Sequence, residues 1–333
     1  MTYNFITLTT KPTAQLSYSY HPPIPSPSSP TTLTNSLLIF INGLGLPQTS
    51  WSPLITTLTT HPPTTGLPAL LTYDRYAQGL STDKDPADAS APNPAHAHDC
   101  LSVVHDLHQL LVQITTTHHH HHHPTPLQDM HLILVSNSIG GAISRLYAQT
   151  YPGTVAGLVF LDSVLANSDF VNIYPNPEDP GFNEGELPGD VTVDALRKTR
   201  EFMTRVFHPE TGMMGAAEGL SRRNLPALLP YSDGPMLLGP GGKGPWVTVV
   251  GHEFERFEEE FEAMSGGGRT LTREYLNPYW ERYNQGLVRI TEDGRGKGPL
   301  RAPGTGHFVQ RDNPEWVAGE VRGLVERVLG EMM

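Results

Sequence analysis

The stretch from His131 to Tyr151 constrains this chain more than any other. His131-Leu-Ile-Leu-Val135 is apolar after its first residue and partly β-branched. It runs directly into Ser136-Asn137-Ser138 and Ile139-Gly140-Gly141, after which apolar positions recur at Ala142, Ile143, Leu146 and Tyr147. A short apolar run bounded by small residues reads as a buried strand, and the recurrence at three and four residues reads as a helix packed on the sheet. No residues are left over for a loop, so the backbone must turn sharply at Ser138. Such a turn holds the hydroxyl clear of the backbone on both sides, and the helix that follows aims unpaired N–H groups at any anion formed there. Ser138 is the candidate nucleophile.

The flanking sequence repeats the strand-helix alternation. Leu37 to Ile41 is apolar on both faces, as a central parallel strand requires, and ends in the turn Asn42-Gly43-Leu44-Gly45. A helix is expected from Ser50-Trp51 to about Thr60, a strand at Ala69 to Tyr73, and an amphipathic helix through Leu101, Val104, Leu107, Leu111 and Ile114. Val155 to Leu161 is another two-sided strand, ending in Asp162-Ser163. With opening strands at Tyr3 to Thr9 and Ala14 to Tyr20, the pattern predicts an α/β fold, a mostly parallel sheet of about eight strands with helices on both faces.

From Val164 to Pro245 that rhythm stops. Pro- and Gly-rich connections surround expected helices at Val193 to Phe207 and Met213 to Leu229, with Gly241-Gly242-Lys243-Gly244 as a flexible hinge. This is the pattern of a helical lid inserted between two core parts, 1–163 and 246–333. The second part is expected to hold a strand at Trp246 to Val250, helices at His252 to Met264 and Thr272 to Ile290, the latter broken at Asn277-Pro278, and a short strand at Leu300 to Ala302. The loop Gly304-Thr305-Gly306-His307-Phe308 follows, then a closing helix from Asn313-Pro314. Segments 24–34 and 115–126 read as low-complexity loops, the second carrying His118 to His123 without a metal role.

Composition narrows the function. A net charge of −12, from 22 Lys and Arg against 34 Asp and Glu, disfavours nucleic acid and anionic membrane surfaces as partners. Cys100 is the single cysteine, which leaves no disulfide framework and no cysteine-based zinc site. Met1 to Tyr20 lacks the apolar core of a signal peptide, and no apolar run reaches membrane-spanning length, so a cytoplasmic protein is expected.

A serine hydroxyl becomes a useful nucleophile only when a base takes its proton. His307, on a glycine-flanked loop after the last strand, is the candidate. His96, His98, His105, His108 and His131 fall before Ser138, and His252 follows the strand before last. The carboxylate that orients His307 has two candidates at strand ends, Asp162 and Glu253. His252-Glu253 is not a zinc motif, because the position four beyond His252 is Arg256. No cofactor and no metal are expected.

Four features in order, Asn42-Gly43-Leu44-Gly45, Tyr73-Asp74-Arg75 with Gly79 and Ser81, the turn at Ser138, and Gly304-Thr305-Gly306-His307, make the chain from Leu37 onward resemble the α/β-hydrolase family. Ala156-Gly-Leu-Val-x-Leu-Asp162 is similar to the single-domain serine hydrolases within it. The resemblance implies that Ser138 attacks, that His307 is the base, and that the Ile139 and Leu44 amides form the oxyanion hole. It favours Asp162 as the acid, where that subgroup and the haloalkane dehalogenases carry theirs. Glu253, at the position most of the family uses, is the alternative. It also implies that Asn42, Gly43 and Asn137 border the substrate and that Asp74 and Arg75 form a structural ion pair. Ser136 and Asn137 depart from the usual Gly-His before the nucleophile, and Asn42 replaces a His. The expected activity is cleavage of a carboxylic ester or lactone of a small to medium apolar substrate through an acyl-enzyme. On the same residues the alternatives are carbon-carbon hydrolysis or acyl transfer, and outside catalysis a ligand sensor of the same fold. A serine in place of an aspartate nucleophile argues against the dehalogenase and epoxide hydrolase chemistries, which need an alkyl-ester intermediate.

Overall fold

The computed structural model describes residues 2–26, 32–118 and 126–332. In chain order it holds β1 (Asn4–Thr7), β2 (Gln15–His21), β3 (Ser36–Ile41), α1 (Ser52–Thr60), β4 (Ala69–Tyr73), β5 (His98–Asp99), α2 (Cys100–His118), β6 (His131–Ser138), α3 (Ile139–Thr150) and β7 (Val155–Ser163). There follow α4 (Val193–Val206), β8 (Leu220–Ser221), α5 (Leu225–Leu228), β9 (Trp246–Gly251), α6 (Phe254–Ser265), α7 (Arg269–Leu271), α8 (Asn277–Val288), β10 (Gly296–Arg301), α9 (Val309–Asp312) and α10 (Pro314–Glu331). Eight strands form one sheet in the order β1-β2-β4-β3-β6-β7-β9-β10. The pairs β1–β2 and β2–β4 are antiparallel and the rest are parallel, so the expected fold class is what the chain adopts.

The two-sided strands explain the layering. Leu37, Ile39 and Ile41 of β3 enter one core, with α2, α3 and α8, while Leu38 and Phe40 enter the other, with α1 and α10. A strand so placed has no polar face to turn outward, which is why its sequence is continuously apolar. The C-terminal ends of β3, β6, β7, β9 and β10 gather at one edge of the sheet, where parallel α/β folds place ligands.

Several local expectations are corrected. Thr115 to Thr117 do not begin a loop: they continue α2 to His118, each hydroxyl donating to the carbonyl four residues back, at 2.9, 2.8 and 2.8 Å. Threonine satisfies its own polar group inside a helix in this way. The rest of the histidine run, and 27–31 of the first low-complexity segment, lie outside the described residues. The helix expected at Met213 to Leu229 is instead a 3-10 turn at Ala216–Glu218, then β8, then α5, because Gly215 and Gly219 adopt φ of 96° and 72°, which an α-helix cannot hold. Thr272 to Val288 is not broken at Asn277-Pro278. A π-turn at Thr272–Leu276 leads directly into α8 with Pro278 in its first turn, the wider π-turn absorbing the backbone bond that proline cannot make.

The glycines at 241–244 do not hinge a lid over the sheet's C-terminal edge. Gly239 packs on the carbonyl of Val155, the first residue of β7, and Gly244 on Thr291, at the opposite edge. The segment between β7 and β9 therefore covers the C-terminal edge only in its first part. From Tyr231 onward it runs down the flank, held by Arg145 Nη2 donating to the carbonyls of Tyr231 (2.7 Å) and Gly234 (3.0 Å).

Candidate active site

Ser138 closes β6 with φ 56° and ψ −123°. A positive φ at a non-glycine residue is strained and persists only where packing enforces it. The following glycines show that enforcement, since a Cβ at Gly140 would lie 2.4 Å from the Ile41 carbonyl oxygen and one at Gly141 2.3 Å from Ser163 Oγ. The strand-helix turn thus sits tight between β3 and β7. Ile139 opens α3, so its N–H has no partner within the helix, and Leu44 N, in the turn after β3, has no acceptor among the described residues.

That turn is braced from behind. Arg75 Nη1 and Nη2 donate to the carbonyls of Asn42 (2.8 Å) and Gly43 (2.9 Å), and Nη2 pairs with Glu218 at 2.8 Å. Gln78 Nε2 donates to the Gly43 carbonyl at 3.0 Å, and the Gly45 amide donates to Glu218 at 2.6 Å. These bonds fix both carbonyls of the turn, and with them the peptide plane that carries the Leu44 N–H. Arg75 therefore pairs with Glu218 rather than with Asp74, which accepts from the amides of Gln48 (2.6 Å) and Leu80 (2.9 Å). The side chains of Asn42 and Asn137, expected at the substrate, are buried in this frame. Asn42 Nδ2 donates to the Tyr73 carbonyl at 2.9 Å and its Oδ1 accepts from Trp51 at 2.7 Å. Asn137 Nδ2 donates to the carbonyls of Leu161 (2.9 Å) and His307 (3.0 Å). Gly43 alone of the three borders the cavity.

His307 Nδ1 lies 2.6 Å from Asp162 Oδ2, with Asp162 fully buried and His307 a quarter exposed. Glu253 stands apart from His307: its carboxylate accepts from the Gly304 amide at 3.0 Å. Among the described residues Ser138 Oγ has no hydrogen-bond partner within 3.5 Å, but Ser138 and His307 border the same cavity. Bonds of this kind often tighten only once substrate is bound.

Asp162 serves a second histidine. His252, just beyond β9 and 2% exposed, places Nδ1 2.8 Å from Asp162 Oδ1. Its Nε2 lies 3.1 Å from Asn277 Oδ1, and Asn277 Nδ2 donates to Glu258 at 3.2 Å. Glu258 also receives Arg273 at 2.7 Å. A carboxylate can only accept, so the Asn277 amide must turn its NH2 to Glu258 and its oxygen to His252. Each ring nitrogen of His252 thus faces an acceptor, the Asp162 carboxylate on one side and the Asn277 oxygen on the other. Burial works to raise the Asp162 pKa, but the charge and hydrogen bonds of His252, joined by those of His307, hold it down at about 2.

The cavity between these residues and the segment after β7 measures about 330 Å³. Val164, Phe170, Met203, Phe207 and Met214 come from that segment, and Phe257, Phe261 and Trp280 from α6 and α8. Its polar groups besides Ser138 and His307 are Arg222 and Glu260. Glu260 accepts from the His307 amide at 3.2 Å and pairs with Arg256 at 3.3 Å.

The sequence profile of the Alpha/beta hydrolase family matches residues 38–320. The chain belongs to the α/β-hydrolase family. No curated protein matches it in sequence. Among solved structures it is similar to a thermophilic esterase from Thermogutta terrifontis with malate bound, at 16% identity and TM-score 0.51, covering 98% of this chain and 99% of that one. It is also similar to a mutant epoxide hydrolase from Vigna radiata, at 13% identity and TM-score 0.54, covering 98% of each chain. A second epoxide hydrolase from the same organism gives 11% identity and TM-score 0.52, again covering 98% of each.

Sequence reasoning on this hydrolase passed over His252, Glu218, Arg222 and Asn277. A histidine just past an apolar strand was the available signal for His252. The others act through partners that no local pattern joins. Among the described residues of the hydrolase one group offers three metal-ligand atoms close together, Asp85, Asp88 and His98. It borders no part of the Ser138 cavity, and it is internally matched, with Lys11 on Asp85 at 2.5 Å and His98 on Asp88 at 2.9 Å. No helix among the described residues is long and apolar enough to cross a membrane.

Proposed function

We propose that this α/β-hydrolase is a serine hydrolase that cleaves a carboxylic ester or lactone through an acyl-enzyme. One observation carries the reading. A strained serine at the end of β6 shares a cavity with His307, whose far nitrogen is held 2.6 Å from a buried, ionised carboxylate. With Nδ1–H committed to Asp162, Nε2 of His307 is the free base. It takes the Ser138 proton as Oγ attacks the carbonyl carbon, and the oxyanion forms against the Ile139 and Leu44 amides. His307 then passes the proton to the departing alkoxide. In the second half a water loses its proton to His307, attacks the acyl carbon, and releases the acid with Ser138 restored.

A hydroxyl nucleophile gives an acyl-enzyme that water can open, which favours ester cleavage over epoxide opening. The apolar wall from Val164 to Met214 and the aromatic rings opposite favour an apolar body in the substrate, with that wall read as the lid. The test is labelling by a fluorophosphonate probe together with turnover of p-nitrophenyl butanoate. Both are expected in the wild type and lost in Ser138→Ala. Failure of the wild type to label and to hydrolyse any p-nitrophenyl ester from acetate to octanoate overturns the reading.

A further inference from the structure

Arg222 is 4% exposed and borders the same cavity as Ser138. Its Nη2 donates to the Phe207 carbonyl at 2.9 Å, and no carboxylate of the described residues lies within 4 Å of it. The other buried arginines are matched differently. Arg75 carries Glu218, and Arg145 is surrounded by the Tyr283 hydroxyl and the carbonyls of Tyr231 and Gly234. Arg145 borders no part of the cavity, so its role is structural. Arg222 makes one such bond, its remaining nitrogens are not sealed in protein, and the residue lines the cavity. Burial lowers its pKa to about 10, which leaves it charged at neutral pH. Arg145 offsets its burial with a hydroxyl and two carbonyls, whereas Arg222 has one carbonyl and no carboxylate, and an anion in the cavity would supply what is missing.

We infer that the substrate carries a free carboxylate, which Arg222 receives while Ser138 attacks an ester elsewhere in the same molecule. This rests on the serine hydrolase reading and names its substrate class. The segment bearing Arg222 abuts the turn after β3, with Gly215 against Leu44 and Glu218 on the Gly45 amide. The anion is therefore bound on the Leu44 side. Glu260, the other charged group of the cavity, lies on α6 and contacts the His307 backbone. One guanidinium facing a cavity that also holds a carboxylate suits a monoanion better than a phosphate dianion, and the planar fork of arginine matches a carboxylate's two oxygens. The apolar remainder of the wall accommodates the carbon chain between the two functions.

The test compares substrates of equal chain length that end in a carboxylate or in a methyl group. Wild type is expected to hydrolyse mono-p-nitrophenyl glutarate with kcat/KM at least ten-fold above p-nitrophenyl pentanoate. Arg222→Met should lose at least ten-fold more on the first than on the second, so that the preference for the anionic ester disappears, with Arg222→Lys between wild type and Met. Binding to Ser138→Ala by calorimetry reads the same site without turnover: monomethyl glutarate should bind at least ten-fold tighter than dimethyl glutarate, and Arg222→Met should abolish the difference. Equal wild-type rates on the two p-nitrophenyl esters, or no preference for the anion in the binding experiment, overturns the inference. Those results would leave the serine reading standing if both esters are cleaved. Arg222-dependent binding of the anion with no cleavage and no fluorophosphonate labelling would instead sink the serine reading and keep the anion site.

Discussion

Replacing Asp162 by Asn tests the centre of the site most directly, because the carboxylate accepts from two imidazoles at once. His307 Nδ1 approaches one oxygen at 2.6 Å and His252 Nδ1 the other at 2.8 Å. An amide has the same shape but offers one oxygen and one NH2, so one histidine must meet a donor where it now meets an acceptor. If that histidine is His307, it is pushed into the tautomer that carries its proton on Nε2 and cannot act as a base. If it is His252, a buried ring loses the acceptor of its Nδ1. A charge-assisted hydrogen bond contributes about 1.5–3 kcal/mol, and removing one member of a buried ion pair destabilises by about 3–5 kcal/mol. Asp162→Asn is therefore expected to be about 3–5 kcal/mol less stable in urea unfolding. Its kcat on p-nitrophenyl butanoate should fall by roughly three to four orders of magnitude, the loss expected when a triad histidine takes the wrong tautomer. Glu253→Gln disturbs only the bond to the Gly304 amide, and its activity should stay within about three-fold of wild type. An Asp162→Asn variant within ten-fold of wild type, beside a Glu253→Gln variant that falls by orders of magnitude, refutes the assignment.

Two further outcomes follow from the same carboxylate. The Asp162 pKa is depressed from 3.8 to about 2, so its stabilising contribution is fully present above about pH 5 and is lost as pH falls through 4 toward 2. That contribution is on the order of 2 kcal/mol; the stability gap between wild type and Asp162→Asn should narrow by about that much between pH 5 and pH 2.5, and an unchanged gap contradicts the account. His252→Asn keeps an amide donor toward Asp162 but gives up the bond to Asn277, which is held in turn by Glu258, and the ring packing against Phe257, stacked at 4.0 Å, and Trp280, edge-on. Losing that bond and the ring packing should lower stability in urea unfolding by about 2–4 kcal/mol, and a His252→Asn variant as stable as wild type contradicts the account.

The frame could be read from local pattern alone. Strands buried on both faces must be continuously apolar and helices on a sheet must repeat at 3.6 residues, so β3, β6, β7 and β9 and the alternation of layers were legible residue by residue. The turn at Ser138 was legible for the same reason, since a strand that meets a helix with only small residues between them has one way to bend. His307 could be read from its place after the last strand. Tertiary structure decided what depends on residues far apart in the chain. It brought Asp162 and not Glu253 to His307, and it set His252 on the other oxygen, across 90 residues. It gave Arg75 to Glu218 and left Arg222 at the cavity wall without a carboxylate among the described residues. It also replaced the helix expected after Met213 with turns, because Gly215 and Gly219 take conformations that only their packed surroundings select. Local periodicity records which side of an element is buried. Which charges meet at the ends of the strands is fixed only when the sheet has closed, and the acid partner of His307 and the one unmatched cation of the cavity are both facts of that kind.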